Sequence, residues 1–311
     1  MIPTLTYLQF HLIFSVPLLA VLWYLAPRYD AIRRRRATAG IAILVAIAYA
    51  YTTPWISYMI RRGAWWYGDG AVLVRVLSIP LGEYLYFAIQ TLIVAFTLHL
   101  IGFDPTFRDG DFDYAPRIAG VGVGLAMIPV GLWLVLRSPS FLYLGGLIAW
   151  VGPVLALQWG VGGGYLARTP RVWLAATLLP AAYFWIVDRI AIEMGTWVIS
   201  AEYTTGFAVL GLPIEEMLFF ASAGLMTING LVLYEWVLDW NARRPVARSR
   251  LDAIDPVDRS TAKSAGSAND PAANDPAANG DTQVSTGVAA TGCVAPNDDV
   301  DPDTQTTSVD D

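Results

Sequence analysis

Seven long apolar runs constrain the fold of this chain more than any other feature of its sequence. One helical crossing of a bilayer needs about 20 consecutive apolar residues. The mean hydropathy of +0.48 and the 55% of hydrophobic residues are too high for an ordinary soluble domain. We therefore predict an all-α, polytopic membrane protein with transmembrane helices near 5–25, 38–60, 79–101, 117–136, 141–159, 171–191 and 208–238.

The arginines predict how these spans are oriented. They are concentrated after the first, third, fifth and seventh spans, for example at Arg33–Arg36 and at Arg243 and Arg244. Loops rich in Lys and Arg remain on the cytoplasmic side of a membrane. We therefore expect the N-terminus outside the cell and the C-terminal tail in the cytoplasm.

The last part of the chain, 245–311, differs in composition from the spans. It contains the polar repeat "SANDPAANDPAANGD", many aspartates and the single cysteine, Cys293. Such a segment has too little apolar surface to form a core, so we predict a disordered acidic tail that is dispensable for chemistry. One lysine, Lys263, against 19 arginines, together with the acidic tail, indicates a salt-loving organism.

Two short segments of the sequence share one pattern, which indicates a duplication. "IPLGEYLYF" (Ile79–Phe87) and "LPIEEMLFF" (Leu212–Phe220) each contain a proline, a glutamate three residues later and a pair of aromatic residues three residues after that. A Gly-x-Trp motif lies upstream of each segment, and its tryptophan precedes the glutamate by 18 residues in the first copy and by 19 in the second. Two copies of such a long unit predict two structural repeats.

The duplication also predicts the domain organisation. Two three-span units, 1–104 and 141–244, are joined by a linking span in 105–140 and followed by the tail at 245–311. Because a single span joins them, the two units should have the same orientation in the membrane. The glutamates of the two units are then expected to face one shared pocket.

The carboxylates are the candidate catalytic groups. Glu83, Glu215 and Glu216 could simply be interfacial helix caps, since acidic residues are favoured in the first turn of a helix. Asp188, the only Asp inside a span interior, could form an ion pair with Arg189. However, ionisable residues inside a membrane are usually functional, and a carboxyl group shielded from water can hold a proton near neutral pH. We predict that Glu216, Glu215, Glu83 and Asp188 are catalytic.

The aromatic residues around these carboxylates are the candidate substrate-binding groups. An interfacial aromatic belt would account for many of them. Ring faces also stabilise a nearby cation, and more strongly where water is excluded. We predict contact with substrate for Trp65, Trp66, Trp197, Tyr84, Tyr86, Phe219 and Phe220.

Other motifs are interpreted as structural. Asp109, Asp111 and Asp113 in "RDGDFD" could bind Mg²⁺ or Ca²⁺, but Tyr114 stands where a calcium loop of the EF-hand type needs glycine, so we favour a solvated acidic loop. "GVGVG" at 120–124 predicts close helix packing, and "GVGGGY" at 160–165 predicts a flexible loop. We expect no metal, no cofactor and no nucleic-acid partner. A retinal protein is excluded because its Schiff base needs a lysine in the bundle.

The paired Pro-x-x-Glu segments, each following a Gly-x-Trp motif, resemble the membrane lycopene β-cyclases of archaea, actinobacteria and fungi in their fused, two-repeat form. The resemblance covers about residues 1–240. The family pattern Pro-x-Glu-(Glu/Asp) is complete at Pro213–Glu216, but the first copy has Gly82 at the third position. Ile56 stands where a counterpart of Asp188 would be expected. These departures favour the second half as the main acid–base centre.

The resemblance implies a reaction on lycopene dissolved in the bilayer. A carboxyl group protonates C2 of a ψ end group, the C5=C6 bond attacks the C1 cation, and loss of a proton from C6 gives a β ring. No redox cofactor is needed in principle, and association with other carotenoid enzymes is expected. The alternatives are a related carotenoid hydratase, a prenyltransferase using the 109–113 loop with a metal and a diphosphate, or a non-catalytic transporter of hydrophobic molecules.

Overall fold

The computed structural model describes residues 5–243, so the predictions for the tail lie outside the described residues. Within this range, seven helices are long and apolar enough to cross a membrane. This confirms the predicted all-α polytopic fold. The helices are α1 (Tyr7–Leu25), α2 (Ala31–Arg62), α3 (Leu81–Ile101), α4 (Tyr114–Arg137), α5 (Leu142–Arg168), α6 (Pro170–Glu193) and α7 (Ile214–Arg243). A π-helical turn, His11–Ser15, interrupts α1.

The fifth helix is longer than its hydrophobic run predicts. The "GVGGGY" segment lies inside α5, so the prediction of a flexible loop is wrong. Gly162 departs from helical geometry, with φ −142° and ψ 37°, but the helix continues to Arg168. The next two glycines pack directly on the backbone of Arg117 and of Asp111, where a Cβ would overlap it. The glycines therefore serve close packing rather than flexibility.

Glycines also bring α4 and α5 together. Gly124 packs on the backbone of Gly152 and Ala156, and Gly131 packs on that of Gly145. Close approach through small residues is how membrane helices associate, because lipid gives no hydrophobic driving force between them. The packing interpretation of "GVGVG" is confirmed at Gly124.

Three two-stranded ribbons lie between the helices. β1 (Trp65–Tyr67) pairs with β4 (Trp197–Ile199), β2 (Arg75–Val76) with β3 (Ile79–Pro80), and β5 (Ala208–Val209) with β6 (Leu212–Pro213).

The β2–β3 and β5–β6 ribbons are hairpins with the same geometry, and they place the two glutamate segments in equivalent positions. The central residues of their turns have positive φ, at 51° and 72° for Leu77 and Ser78 and at 52° and 79° for Leu210 and Gly211. Two-residue hairpins require this left-handed backbone. Each hairpin ends on a proline, and the next residue begins a helix. Glu83 and Glu216 therefore both lie in the first turn of a helix.

The ribbon between β1 and β4 joins the two halves of the sequence. Its strands are antiparallel, with Trp65 opposite Ile199, Trp66 opposite Val198 and Tyr67 opposite Trp197. Trp65 and Trp197 hold corresponding places in the repeated sequence pattern. The register is therefore the one expected for two equivalent strands around an approximate two-fold axis between Trp66 and Val198.

The acidic loop before α4 is not fully solvated. Asp109 and Asp113 are exposed, but Asp111 is only 1% exposed, so the prediction of a solvated loop is wrong for this residue. Arg168 donates to both of its carboxylate oxygens, at 2.8 and 2.9 Å, and the Trp236 indole donates at 2.9 Å. Burial opposes ionisation of Asp111, but the hydrogen bonds from Arg168 and Trp236 outweigh it and hold the pKa of this carboxyl below its ordinary value.

Candidate active site

A cavity next to the β1–β4 ribbon collects side chains from both halves of the chain. Its free space, counted to its open mouth, is about 590 Å³. Three predicted carboxylates line it: Glu83, Asp188 and Glu216. The rest of the wall is Ser15, Val187, Ile199 and a majority of ring side chains: Tyr7, Phe10, His11, Trp65, Tyr67, Tyr86, Tyr143, Phe184, Trp197, Phe219 and Phe220.

Glu83 is held by two tyrosine hydroxyls. Tyr7 donates to Oε2 of Glu83 at 2.6 Å and Tyr67 donates to the same oxygen at 3.1 Å. The indole of Trp65 donates to the Tyr67 hydroxyl at 3.1 Å, so the hydroxyl proton of Tyr67 is left for Glu83. Burial and the adjacent carboxylate raise the pKa of Tyr67 well above its ordinary value, which keeps it a donor.

Gly82 allows the first helix to reach Glu83. A Cβ at Gly82 would overlap the ring of Tyr7. Its carbonyl oxygen is 2.9 Å from Nε2 of His11, and the other ring nitrogen of His11 is 3.0 Å from the Ser15 hydroxyl. The rings of His11 and Tyr7 stack with centroids 4.8 Å apart. The departure from the family pattern at Gly82 thus has a packing role.

Glu216 and Asp188 form a buried acidic pair. Their residues are 6% and 2% exposed, and their charges are close enough to interact with each other and with that of Glu83. The Tyr143 hydroxyl lies next to the Glu216 carboxyl and interacts with it, and Oδ1 of Asp188 accepts from the Trp197 indole at 2.8 Å. Oδ2 of Asp188 has no hydrogen-bond partner within residues 5–243.

In the part of the chain that the structure describes, no cation pairs with the carboxylates of the cavity. None of the four ion pairs within residues 5–243 includes Glu83, Asp188 or Glu216. Arg189, the alternative partner considered for Asp188, pairs instead with Glu193 at 2.6 Å. Because they are buried, the two glutamates are not water-facing helix caps either.

Glu215 lies outside the cavity although it adjoins Glu216. It is completely buried, and its Oε1 accepts hydrogen bonds from the backbone N–H and the hydroxyl of Thr205, both at 2.7 Å. Glu215 therefore fastens the segment that leads into the β5–β6 hairpin. Its charge acts on that of Glu216, but this predicted catalytic residue does not line the cavity with the other three.

Five of the predicted aromatic residues line the cavity: Trp65, Trp197, Tyr86, Phe219 and Phe220. The other two do not. Trp66 is 49% exposed, and the Tyr84 hydroxyl donates to the Val76 carbonyl oxygen at 3.4 Å, outside the cavity. Trp66 alternates with Trp65 and Tyr67 along β1, so its side chain leaves on the opposite face of the strand.

Sequence reasoning missed several residues of the cavity, mainly Tyr7, His11, Tyr67, Tyr143 and Phe184. Tyr7 and Tyr143 carried a signal, because each is followed by leucine and precedes its Gly-x-Trp motif by a similar distance. Within residues 5–243, no group of three or more His, Cys, Asp or Glu side chains is placed to hold a metal ion.

The fold and the cavity define a class of protein: a polytopic helical membrane protein whose two sequence halves enclose a buried site of carboxyl groups and aromatic rings. The family model described as "Lycopene cyclase" matches the chain twice, over residues 5–101 and 141–237. The chain belongs to the lycopene cyclase family. Tyr7 and Tyr143 are each the third residue of a matched range, so the interactions of Tyr7 with Glu83 and of Tyr143 with Glu216 correspond.

Sequence identity to individual lycopene cyclases supports this membership. The chain is 43% identical to a lycopene beta-cyclase of Halobacterium salinarum over 228 residues, which is 71% of this chain and 92% of the relative. It is 31% identical over 244 residues to a bifunctional lycopene cyclase/phytoene synthase of Aspergillus oryzae, and 34% identical over 229 residues to one of Phycomyces blakesleeanus. The matched regions are 40% and 37% of those fungal proteins. No solved structure matches the chain.

Proposed function

We propose that this protein is a lycopene β-cyclase that converts the ψ end groups of lycopene into β rings, giving β-carotene by way of γ-carotene. The observation that carries the proposal is the joint presence of Glu83, Asp188 and Glu216 in one aromatic cavity of a family member. Acid–base chemistry on an apolar substrate needs both features, since the carboxyl groups move protons and the rings surround a cation.

The reaction requires one proton to enter and one to leave. Protonation of C2 places a cation at C1, and attack by the C5=C6 bond forms the C1–C6 bond and moves the cation to C5. Loss of the proton on C6 then forms the new C5=C6 double bond. The product is an isomer of the substrate, so the residues need only supply a proton, accept a proton and protect the cation.

The Glu216–Asp188 pair is the proposed proton donor. Two neighbouring carboxyl groups in apolar surroundings cannot both ionise at low cost, so the pair keeps a proton. No cation among the described residues relieves their repulsion. Trp197 positions Asp188 by a hydrogen bond, and the Tyr143 hydroxyl lies next to Glu216.

Glu83 is the proposed proton acceptor. Two hydroxyl donors on one carboxylate oxygen favour the ionised form, because hydrogen bonds to a charged form stabilise it. Tyr7 and Tyr67 are then positioning residues. Glu215, which contacts Thr205 rather than the cavity, is assigned no proton-transfer role.

The aromatic walls of the cavity are proposed to stabilise the carbocation intermediate. Trp65, Trp197 and Phe219 line the same cavity as the acidic pair, and ring faces attract a desolvated cation by about 2 kcal/mol or more. The prenyltransferase alternative is disfavoured, because both oxygens of Asp111 already accept from Arg168.

Pigment analysis tests the proposal. Lycopene-producing cells that express the full chain should accumulate β-carotene or γ-carotene, and isolated membranes incubated in D₂O should give rings with one deuterium at C2. Cells that express Glu216→Gln at the same level provide the control. Unchanged lycopene with the protein present in membranes would refute a cyclase and favour a transporter, whereas a hydroxylated acyclic product would identify a hydratase.

Orientation and partners are part of the proposal. The arginine distribution supports an outside N-terminus, which places the cavity in the outer half of the cell membrane and the tail in the cytoplasm. The test replaces Cys293 with serine and introduces a cysteine at Asp69 near the β2–β3 hairpin. An impermeant thiol reagent added to intact cells should label it. Association with other carotenoid enzymes is proposed from the apolar, membrane-dissolved nature of substrate and product.

A further inference from the structure

A second cavity lies at the opposite end of α3 from Glu83. Its free space, counted to its open mouth as for the first cavity, is about 1180 Å³, and its walls come from the end of α1, the connection to α2, the first turns of α2 and the end of α3. The floor is apolar, formed by Ile41, Leu92 and Phe96. Two arginines, Arg28 and Arg34, are exposed and line the rim.

No ion pair within residues 5–243 neutralises the positive charge of this rim. Neither Arg28 nor Arg34 belongs to an ion pair within residues 5–243, and no carboxylate lines the cavity. The nearest carboxylate along the chain, Asp30, accepts a hydrogen bond from the backbone N–H of Arg33 at 2.8 Å. Glu235 acts on other arginines of the cluster, Arg33 and Arg36.

A buried histidine adds an unused polar group to the wall. His99 is only 7% exposed and lines this cavity, and its Nδ1 lies 3.2 Å from the hydroxyl of Tyr29. Its Nε2 has no hydrogen-bond partner among the residues that the structure describes. When Nδ1 accepts from the tyrosine, Nε2 carries the proton and is a free donor. Buried polar groups normally have a partner, so this nitrogen points to a missing ligand.

We infer that this cavity binds the phosphate head group of an anionic membrane lipid, with one hydrocarbon chain on the apolar floor. An unneutralised basic rim above an apolar floor complements an amphiphile with a negative head. Basic pockets between transmembrane helices bind anionic head groups in this way. Trp23 and Tyr24 on the same wall are 70% and 75% exposed, as expected for rings at the level of lipid head groups.

Retention of defined lipids by the full-length protein tests this site. The purified chain is exchanged into nanodiscs of phosphatidylcholine containing a minor fraction of phosphatidylglycerol. After extraction, the lipid that remains bound is measured by mass spectrometry. The variant Arg28→Ala/Arg34→Ala should retain phosphatidylglycerol about tenfold less well than the wild type. The matched control Arg61→Ala/Arg62→Ala removes two arginines from the other end of α2 and should behave like the wild type.

The variant His99→Leu distinguishes lipid binding in this cavity from the general attraction of basic residues to anionic lipid. It leaves every arginine in place and should also reduce the retention of phosphatidylglycerol. If His99→Leu fails to fold, the exposed arginine pair and its control still decide the result. Equal losses in the two double-arginine variants, or equal retention of phosphatidylcholine and phosphatidylglycerol, would overturn the inference. Displacement of the lipid by millimolar inorganic phosphate alone would assign the site to free phosphate and also overturn it.

Discussion

The two glutamate segments share a backbone and differ in what surrounds them. In Ile79–Phe87 and in Leu212–Phe220, a hairpin with a left-handed turn ends on proline, and the glutamate lies in the following helical turn. In the first segment the residue before the glutamate is Gly82, which lets Tyr7 pack closely. In the second it is Glu215, which is hydrogen-bonded to Thr205.

The difference extends to the preceding helix of each half. Asp188 adds a second carboxyl group beside Glu216, whereas the corresponding residue of the first half is the fully buried Ile56. The second half therefore presents an acidic pair and the first half a single carboxylate with two hydroxyl donors. A shared backbone fixes where the carboxylates lie, while a few substitutions give them the different surroundings on which the proposed donor and acceptor roles rest.

Replacing the central acid should have the largest effect. Glu216→Gln keeps the size of the side chain but cannot donate a proton, so the rate should fall by about 10²-fold or more. Initial rates of lycopene consumption in membranes measure this, normalised to the amount of inserted protein. The control is Glu193→Gln, which alters an exposed ion pair on α6. Full activity of Glu216→Gln would remove the proton-donor assignment.

Gly82→Ala should impair the function of Glu83 in the first half without replacing any carboxylate. The added Cβ overlaps the ring of Tyr7, so Tyr7 must move away from Glu83. We expect at least about a tenfold loss of rate, comparable to losing a hydrogen bond to a charged group. Gly122→Ala is the matched control, because a Cβ there meets open space. An unchanged rate in Gly82→Ala would show that the contact with Tyr7 is not needed.

The tyrosine of each half should act through its own glutamate. Tyr7→Phe removes one donor to Glu83, and we expect a loss of rate of about tenfold. The loss should disappear when Glu83 is already glutamine, because the two residues then no longer interact. Tyr143→Phe should show the same dependence on Glu216. Additive losses in the double variants would mean that the hydroxyls act independently of the carboxylates.

Glu215→Gln should affect stability rather than chemistry. The change weakens the hydrogen bonds to Thr205 and should cost about 1–2 kcal/mol of unfolding free energy. The rate per folded molecule should stay within about threefold, since Glu215 does not line the cavity. Thr205→Val should give a similar loss of thermal stability. A folded but inactive Glu215→Gln would return this residue to the catalytic group.

Asp111 is a buried carboxylate with a cation, and its replacement should have the smallest effect on activity. Asp111→Asn should destabilise the protein by about 2 kcal/mol at neutral pH and leave the rate per folded molecule unchanged. Because the pKa of Asp111 is lowered on folding, its contribution is fully present above the ordinary pKa of about 4 and is lost as the pH falls through the folded pKa. The melting temperatures of the wild type and of Asp111→Asn should therefore differ at neutral pH and converge in strong acid.

Much of the fold could be predicted because hydrophobic length is a local property. All seven helices coincide with apolar runs, and the proline before each glutamate marks a helix start. The shared pocket followed from the repeated Trp…Pro-x-x-Glu pattern, which requires no coordinates. The error at "GVGGGY" arose because glycine favours flexibility in isolation but close packing where another backbone lies against it.

The sequence by itself determined the spans, the duplication and which residue types are available for proton transfer. Only the tertiary structure decided which carboxylates share the cavity. Glu215 and Glu216 are adjacent in sequence but point about 100° apart around a helix, so one meets Thr205 and the other meets Tyr143. Nothing in the motif "RDGDFD" distinguishes Asp111 from the aspartates beside it, yet Arg168 and Trp236 bind it from distant parts of the chain. A carboxyl group's protonation role depends on its burial and neighbours, and folding brings those neighbours from other helices.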